Sequence, residues 1–464
     1  MSSRRRHRKA LPTEAVSLEI ESLNHEGRGV TRIDGKVGFV DGALAGEKVM
    51  AKYVRRRSSL DELSTIEVIE ASAARVEPGC EYFGRCGGCS LRHLRSDLQV
   101  DLKESVLLDH LRHATGLEPN EFELLPQLRG DTDHYRKKAR LAIRVVKKKG
   151  GALVGFREKY SSFITDMQDC QILDSTVAGL IPRLREFIMR LEGAMEIPQI
   201  EVAVGEVADS NQADAPDPVV ASEVQAVALI FRHLKPLSES DTAALIEFAQ
   251  QQAFQLYLQP AGPDSVHKLW PEGEERLSYF LPEFHLQLKF HPQDFTQVNS
   301  SINRQIVSRA ISMLQLQAGD AMLDLFCGLG NFTLAAAKHC AQVVGVEGSA
   351  AMVDRGYENA RLNGIDNAQF FAADLTNPII DKEWAQRKFD KVLLDPPRSG
   401  ALEIMTQVAA LNAARIVYVS CNPATLARDS AVLIESGYEL KSAGVMDMFP
   451  HTTHVESIAL FEKT

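Results

Sequence analysis

The chain has 464 residues, enough for about three domains, and its 45% hydrophobic and 25% charged residues are an ordinary globular balance that excludes wholesale disorder. The formal net charge of −10 excludes a uniformly basic polyanion binder, and no apolar run approaches the ~18 residues of a membrane span. The first ten residues, Met-Ser-Ser-Arg-Arg-Arg-His-Arg-Lys-Ala, lead into no apolar stretch, so no secretory signal is read and the expected location is cytoplasmic. Seven cysteines are an odd count for a disulfide framework and point toward metal-binding or catalytic roles.

Residues 1–11 read as a basic tail. Over 12–72 the pattern is short and period-2: Val16, Leu18 and Ile20 alternate with polar residues. Turn signals stand at His25–Gly29, Asp34-Gly35 and Asp41-Gly42, and further strands are predicted at Lys36–Val40, Lys48–Val54 and Thr65–Ile69. This is the signature of a small OB-like β-barrel. Residues 1–60 hold 13 Lys/Arg against 7 Asp/Glu, and a basic barrel suits a single-stranded nucleic acid.

A central α+β domain is expected over 73–290. It opens with a loop rich in Cys and Gly, followed by an amphipathic helix at 97–115 with Leu98, Leu102, Val106, Leu107 and Leu111 on one side. That helix is a candidate to dock on the catalytic domain. Residues 129–149 carry nine Lys/Arg against two Asp, a second basic patch, and the stretch Tyr135–Lys149 is read as a face for phosphates. Strands are predicted at Ala139–Val146, Ala152–Arg157, Ile200–Val204 and Val227–Phe231. Glu206–Glu223, with five acidic residues and no basic one, reads as a solvated loop without nameable chemistry.

The last domain, 291–464, alternates strand and helix, which predicts a doubly wound parallel sheet. Strands are expected at Ala321–Phe326, Val343–Glu347, Ala368–Ala373, Lys391–Asp395 and Arg415–Ser420. The first leads into Asp324-Leu-Phe-Cys-Gly328-Leu-Gly330-Asn331-Phe-Thr333, where glycines let the backbone approach a ligand. A dinucleotide fingerprint is absent, because position 333 is Thr. Glu347 ends the second strand, where an acid binds ribose hydroxyls. Asp374 follows the third strand and can accept from an adenine amine. Asp395-Pro-Pro-Arg398 follows the fourth. Four signals in order at strand ends fit an enzyme that uses S-adenosylmethionine.

The fifth strand delivers Ser420-Cys421-Asn422-Pro423. Cys421 stands at a carboxyl strand end, where ligands bind in such sheets. Asn422 and Pro423 suit the start of a following helix, whose N-terminus is expected to favour a thiolate at Cys421. Carbon 5 of a uracil becomes nucleophilic once a thiolate adds at carbon 6, and a base must later remove the carbon-5 proton. Asp447, His451, His454 and Glu456 could each serve as that base. Cys80, Cys86, Cys89 and the distant Cys170 form a four-thiol set suited to a [4Fe–4S] cluster or a structural zinc, and spacing does not choose between them.

These motifs, with Phe295-Thr-Gln297-Val-Asn299, Ser420–Asp429 and Asp447–Glu456, resemble the RlmD (RumA) family of 23S ribosomal RNA uracil-5-methyltransferases over nearly the whole chain. The resemblance implies a TRAM barrel, an iron–sulfur domain and a Rossmann-like methyltransferase domain. It implies that Cys421 is the nucleophile and Glu456 the base, with Asp395 near the reacting end. It implies cofactor contacts from Gln297, Phe326, Asn331, Glu347, Asp374 and Asp395, and a [4Fe–4S] cluster on Cys80, Cys86, Cys89 and Cys170. The implied partner is a single-stranded or refolded loop of 23S RNA around the uridine conventionally numbered 1939, with no membrane and no obligate protein partner. The competing readings are a transfer-RNA uracil-5-methyltransferase and a non-catalytic RNA-binding factor in ribosome assembly.

Overall fold

The structure, a computed structural model, describes residues 11–208, 221–273 and 276–464. The basic tail, save Leu11, and residues 209–220 of the acidic stretch lie outside the described residues. The chain divides into two compact units, Met1–Lys103 with His451–Thr453 and Glu104–Pro450 with His454–Thr464. Among the described residues no helix is long and apolar enough to cross a membrane.

The first unit holds β1 (Val16–Glu19), β2 (Ser22–Leu23), β3 (Gly29–Ile33), β4 (Lys36–Asp41), β5 (Lys48–Arg56) and β6 (Leu60–Glu70). Their order is β1-β5-β6-β4-β3-β2. β1 and β2 are two halves of one interrupted strand. Between them Ile20 N–H bonds the Glu47 carbonyl and Glu21 N–H bonds the Val30 carbonyl, so one ladder passes into the other and the sheet closes on itself. β4 and β6 pair in parallel and the other pairs run antiparallel. Among the described residues the two end strands of this order thus continue into each other, as in a barrel. Leu18, Ile20, Val40, Val49, Ala51 and Leu63 fill the interior, as the period-2 pattern predicts. Inside the same unit Glu47 is buried and bonded to Arg75 and to Leu44 N–H. Burial raises its pKa, but these hydrogen bonds outweigh burial and hold the carboxyl below its usual range.

Helix α1 (Ser96–Thr115) follows, and the division between the units falls inside it, after Lys103. The second unit continues with β7 (Glu123–Leu124), β8 (Lys138–Val146), β9 (Gly151–Gly155), α2 (Ser175–Ile188), β10 (Gln199–Ala208), β11 (Ala221–Arg232), α3 (Glu239–Gln252), β12 (Phe254–Gln259) and β13 (His267–Trp270). Five of these strands and β8 form a sheet ordered β13-β12-β11-β10-β8-β9, without β7. A hairpin of β14 (Leu277–Leu281) and β15 (Leu286–Phe290) comes next. Then come α4 (Ser300–Leu314), β16 (Ala321–Leu325), α5 (Thr333–Ala337), β17 (Gln342–Glu347), α6 (Ala350–Leu362), β18 (Ala368–Ala372), β19 (Lys391–Leu394), α7 (Leu402–Ala410), β20 (Arg415–Ser420), α8 (Pro423–Glu435), β21 (Tyr438–Met446) and β22 (Glu456–Lys463).

The large sheet is ordered β18-β17-β16-β19-β20-β22-β21-β7. β16 to β20 are parallel to one another, and order reverses at β16, which makes a crevice at their carboxyl ends. The five parallel strands fall within a residue or two of their predicted places. β22 inserts antiparallel beside β20, and β21 beside β22. One hydrophobic core joins this sheet to the hairpin and the smaller sheet, through residues such as Ile230, Leu288, Ile306, Val343 and Ile458.

Glu206 corrects the sequence reading. It is not in a solvated loop but on β10, buried, with both oxygens bonded to Arg304 (2.9 and 2.8 Å) and one to Phe280 N–H (3.0 Å). It ties the smaller sheet to α4 and the hairpin. Arg304 is about one-third exposed, so part of the pair is screened by water. Glu206→Ala strands a guanidinium and a backbone N–H and should lower stability by about 2 kcal/mol. A shifted urea midpoint checks this; an unchanged midpoint contradicts it.

Candidate active site

The crevice is built from the carboxyl ends of β16, β17, β18, β19 and β20. After β16 the chain turns sharply: Phe326, Gly328 and Gly330 all have positive φ (66°, 56° and 99°). Phe326 and Cys327 N–H both bond the Val346 carbonyl, which ties the turn to β17. At Gly330 a Cβ would press on Leu334 at 3.1 Å and Phe370 at 3.3 Å, so glycine is needed for both backbone and space. Glu347, half-buried at the end of β17, accepts Gly328 N–H through Oε2 and Ser349 N–H through Oε1, both at 3.1 Å. Each oxygen keeps further acceptor capacity for a hydroxyl donor.

Asp324 is fully buried beneath this turn. Thr333 Oγ1 donates to Oδ2 at 2.5 Å, and Oδ1 has no hydrogen-bond partner. Burial pushes its carboxyl up to about 8, with help from the nearby Asp395 and Glu347. Burial likewise pushes Asp395, at the end of β19, up to about 7. A crevice with this acid set favours a cationic ligand, which would restore the ionised carboxylates.

Asn331 forms a reciprocal amide pair with Asn303 on α4 (3.1 and 2.9 Å), and Tyr279 O–H donates to its Oδ1 at 3.0 Å. Asn303 and Tyr279 also line a small cleft with Thr296, Gln297, Ser300 and Lys137. The structure therefore brings Gln297 and Asn331 to one locality. Asp374, by contrast, is exposed. Its oxygens accept from Thr376 N–H, Thr376 Oγ1 and Asn377 Nδ2, and the Thr376 bonds hold the carboxyl below its usual range. One acceptor position on Oδ2 is left for a ligand.

The register of β20 and β22 runs from Arg415 opposite Glu462 to Ser420 opposite Ser457. One step further sets Cys421 across from Glu456, a separation of about 5 Å between Cβ atoms. Cys421 is half-buried and Glu456 buried. Asn422 caps α8 by accepting Ala424 N–H, and Pro423 takes the first turn, as predicted. The predicted thiolate at that helix end is corrected. Burial raises the Cys421 thiol to about 11, Glu456 and Asp395 add to the rise, and Arg398 offsets only part of it. Desolvation and two acids outweigh the helix end. These causes favour the thiol over the thiolate.

Of the other tail residues, His454 is exposed; its Nδ1 accepts from Arg398 at 3.1 Å and its ring lies 5.3 Å from Phe449. Asp447 is buried at the end of β21, its N–H on the Leu128 carbonyl. His451 belongs to the first unit. There its N–H bonds Gln99 Oε1, its ring meets Gln99 Nε2, and its carbonyl takes Ser90 and Leu91 N–H. The continued register sets Glu456 opposite Cys421, while His451 bonds Gln99, Ser90 and Leu91 in the first unit. Sequence reasoning missed Tyr279, Asn303 and Glu206. Asp324, the one acid inside an otherwise apolar strand, was the signal that could have found the buried carboxyl.

Cys86 is buried, its Sγ accepting Gly88 N–H at 3.4 Å, and Cys80, Cys89 and Cys170 are half-buried. Among the described residues no group of three or more His, Cys, Asp or Glu side chains is gathered to hold a metal ion. The four thiols suit iron–sulfur or zinc by donor chemistry alone.

A protein-family profile described as tRNA (Uracil-5-)-methyltransferase matches residues 274–464. A Hahella chejuensis protein named 23S rRNA (uracil(1939)-C(5))-methyltransferase RlmD is 53% identical over 463 residues, 99% of both chains. One of the same name from Alcanivorax borkumensis is 50% identical, again over 99% of both chains. The crystal structure of Pyrococcus abyssi tRNA (uracil-54, C5)-methyltransferase in complex with S-adenosyl-L-homocysteine superposes with a TM-score of 0.71 at 23% identity, covering 96% of this chain and all of that one. At that identity the likeness is one of fold.

Alkylation of Cys421 by iodoacetamide, followed by peptide mass spectrometry, should climb with pH beyond the range where an exposed thiol levels off. Glu456→Gln removes one acid that raises the thiol and should move the curve to lower pH. A curve left in place would mean that Glu456 does not act on Cys421.

Proposed function

The chain belongs to the RlmD family of 23S rRNA (uracil(1939)-C(5))-methyltransferases, and from that premise we propose how its own residues carry out the reaction. It is an S-adenosylmethionine-dependent enzyme that methylates carbon 5 of a uridine in 23S ribosomal RNA. What supports these roles is the β20–β22 register, which ends at Ser420 opposite Ser457 and, continued by one residue, sets Cys421 opposite Glu456, with Glu456 and Asp395 both near enough to raise the thiol.

S-adenosylmethionine supplies the methyl group as a sulfonium. Glu347 would take the ribose hydroxyls, Asp374 the adenine amine, and Gln297, Phe326 and Asn331 the remainder of the molecule. Asp324 Oδ1, buried without a hydrogen-bond partner beneath the turn, and Asp395 together suit a cation nearby. The Cys421 thiol gives its proton to solvent, its sulfur bonds to uracil carbon 6, and the carbon 5–carbon 6 π pair moves onto carbon 5 and the carbonyl oxygen as an enolate. A thiol of high pKa is rarely ionised but strongly nucleophilic once it is. Carbon 5 takes the methyl, and the donor sulfur keeps the bonding pair. Glu456 then removes the carbon-5 proton, the carbon 5–carbon 6 double bond re-forms, and the Cys421 sulfur leaves. Asp395 sits at the reacting end. Arg398 is the cation next to the thiol.

The first-unit barrel is read as a TRAM domain that holds RNA, and the target uracil is flipped out of its stack to expose carbon 6. Cys80, Cys86, Cys89 and Cys170 are proposed as the ligands of a [4Fe–4S] cluster, and no step above runs through it. The full-length likeness to relatives named for 23S rRNA favours that RNA over transfer RNA.

Methylation assays on a 23S fragment and on transfer RNA test the substrate: incorporation in the former alone is expected, and incorporation in transfer RNA alone overturns the choice. Glu456→Gln should transfer methyl but release RNA slowly, so that a methylated protein–RNA adduct accumulates on denaturing gels. Normal turnover without adduct would move the base elsewhere. Anaerobically purified protein should be brown with about four irons per chain, and Cys170→Ser should lower that content; colourless, zinc-loaded protein would refute the cluster.

A further inference from the structure

Beyond the crevice, the smaller sheet carries a surface that the mechanism does not use. Residues 136–159 hold ten Lys/Arg and one acid, Glu158. The structure sorts them. Lys137 turns inward to Asp174 and Gln225, Lys138 donates to the Asp294 carbonyl, and burial lowers Lys138 to about 8. Tyr135, read from sequence as part of a phosphate-binding face, is buried with its O–H on the Pro450 carbonyl. The exposed cations are Arg140, Arg144, Lys147, Lys148, Lys149 and Arg157.

Arg140 and Arg144 lie four residues apart on β8 and therefore share a face. Ala142 pairs with Gly155 in the β8–β9 register, and continuing it by two residues sets Arg157 across from Arg140. Arg140 is paired with Glu201; Arg144 and Arg157 stand beside it. Chain continues from Arg157 into a tight loop, closed by the Arg157–Ile164 bridge and by Glu158 N–H on the Phe163 carbonyl at 2.9 Å.

At the tip of this loop two aromatic rings face water: Tyr160 is 78% and Phe163 64% exposed. Tyr160 has φ of 56°, a left-handed conformation that a bulky residue adopts at a cost. Folding does not require two large rings in water at a polar turn, and Gly or Asn would suit that backbone better. Aromatic rings beside a cationic strand are the parts that hold single-stranded nucleic acid: cations take the phosphates and rings stack the bases.

We propose that the loop Arg157–Phe163, with Arg140 and Arg144, is a base-stacking platform for single-stranded RNA, on which Tyr160 and Phe163 each cover an unpaired base flanking the target. This rests on the 23S RNA reading above. The occupant is RNA rather than an anionic membrane, because the rings stand with arginines of one strand rather than on an amphipathic helix.

The test measures binding of a 23S fragment spanning the target to the full-length protein over a range of salt. Tyr160→Ala with Phe163→Ala should raise Kd by at least about tenfold with an unchanged salt slope, since stacking carries no counterion release. Arg144→Ala should reduce the slope by about one. Tyr160→Trp should retain affinity, and its added fluorescence should be quenched by the fragment. Alanine variants that bind within twofold of the parent, or that lose binding to phosphatidylglycerol vesicles and not to RNA, overturn the proposal. A parent protein that does not bind the fragment removes the reading underneath it as well; methylation of the fragment by alanine variants at high RNA concentration separates the two failures.

Discussion

Strand β22 runs antiparallel between β20 and β21, and its register is the constraint on which the site depends. Side chains alternate faces along a strand, so a slip of one residue would turn Glu456 away from Cys421. The register is held by what β22 buries. Six consecutive residues from Glu456 to Phe461 are buried, and Ile458 and Leu460 belong to the core shared with the smaller sheet. The alignment proposed for catalysis thus depends on packing along β22.

The same burial creates the electrostatics. Asp324, Asp395 and Cys421 are each shifted toward their neutral forms, with desolvation as the leading cause. Acids shifted upward by burial suit a cationic ligand, and a sulfonium donor bound beside them would favour their ionised forms. In the proposed reaction Cys421 works against its surroundings, because burial first, and Glu456 and Asp395 after it, raise its thiol.

Much of this was legible in the sequence because it lay in local patterns. The five parallel strands ended in turn or acidic residues, and the capped start of α8 was written in Asn422-Pro423. The barrel's alternation gave four of its strands, but β2, β3 and the first half of β6 were not read, and the link through Ile20–Glu21 needed the pairing to be seen. β21 and β22 were not read, because a strand buried on both faces has no alternation and the tail drew attention through its ionisable residues. Glu206 was misread for a similar reason: an acid beside an acidic, Pro-rich stretch looks solvated, and its partner Arg304 lies 98 residues away. The thiolate at Cys421 was expected from one local dipole, whereas three-dimensional burial and two acids decide its state. The alignment of the β8–β9 arginines was half legible, since sequence showed the charge but not that Lys137, Lys138 and Tyr135 turn inward.

The central claim is that Cys421 bonds to carbon 6 of a uracil in 23S RNA. Its most direct test is incubation of the protein and S-adenosylmethionine with a 23S fragment in which the target uridine is 5-fluorouridine. Fluorine cannot leave as a proton does, so the covalent complex should persist, survive denaturation, and map by mass spectrometry to Cys421 and that nucleotide. An adduct on another residue, or none under conditions that methylate the unmodified fragment, would contradict the account.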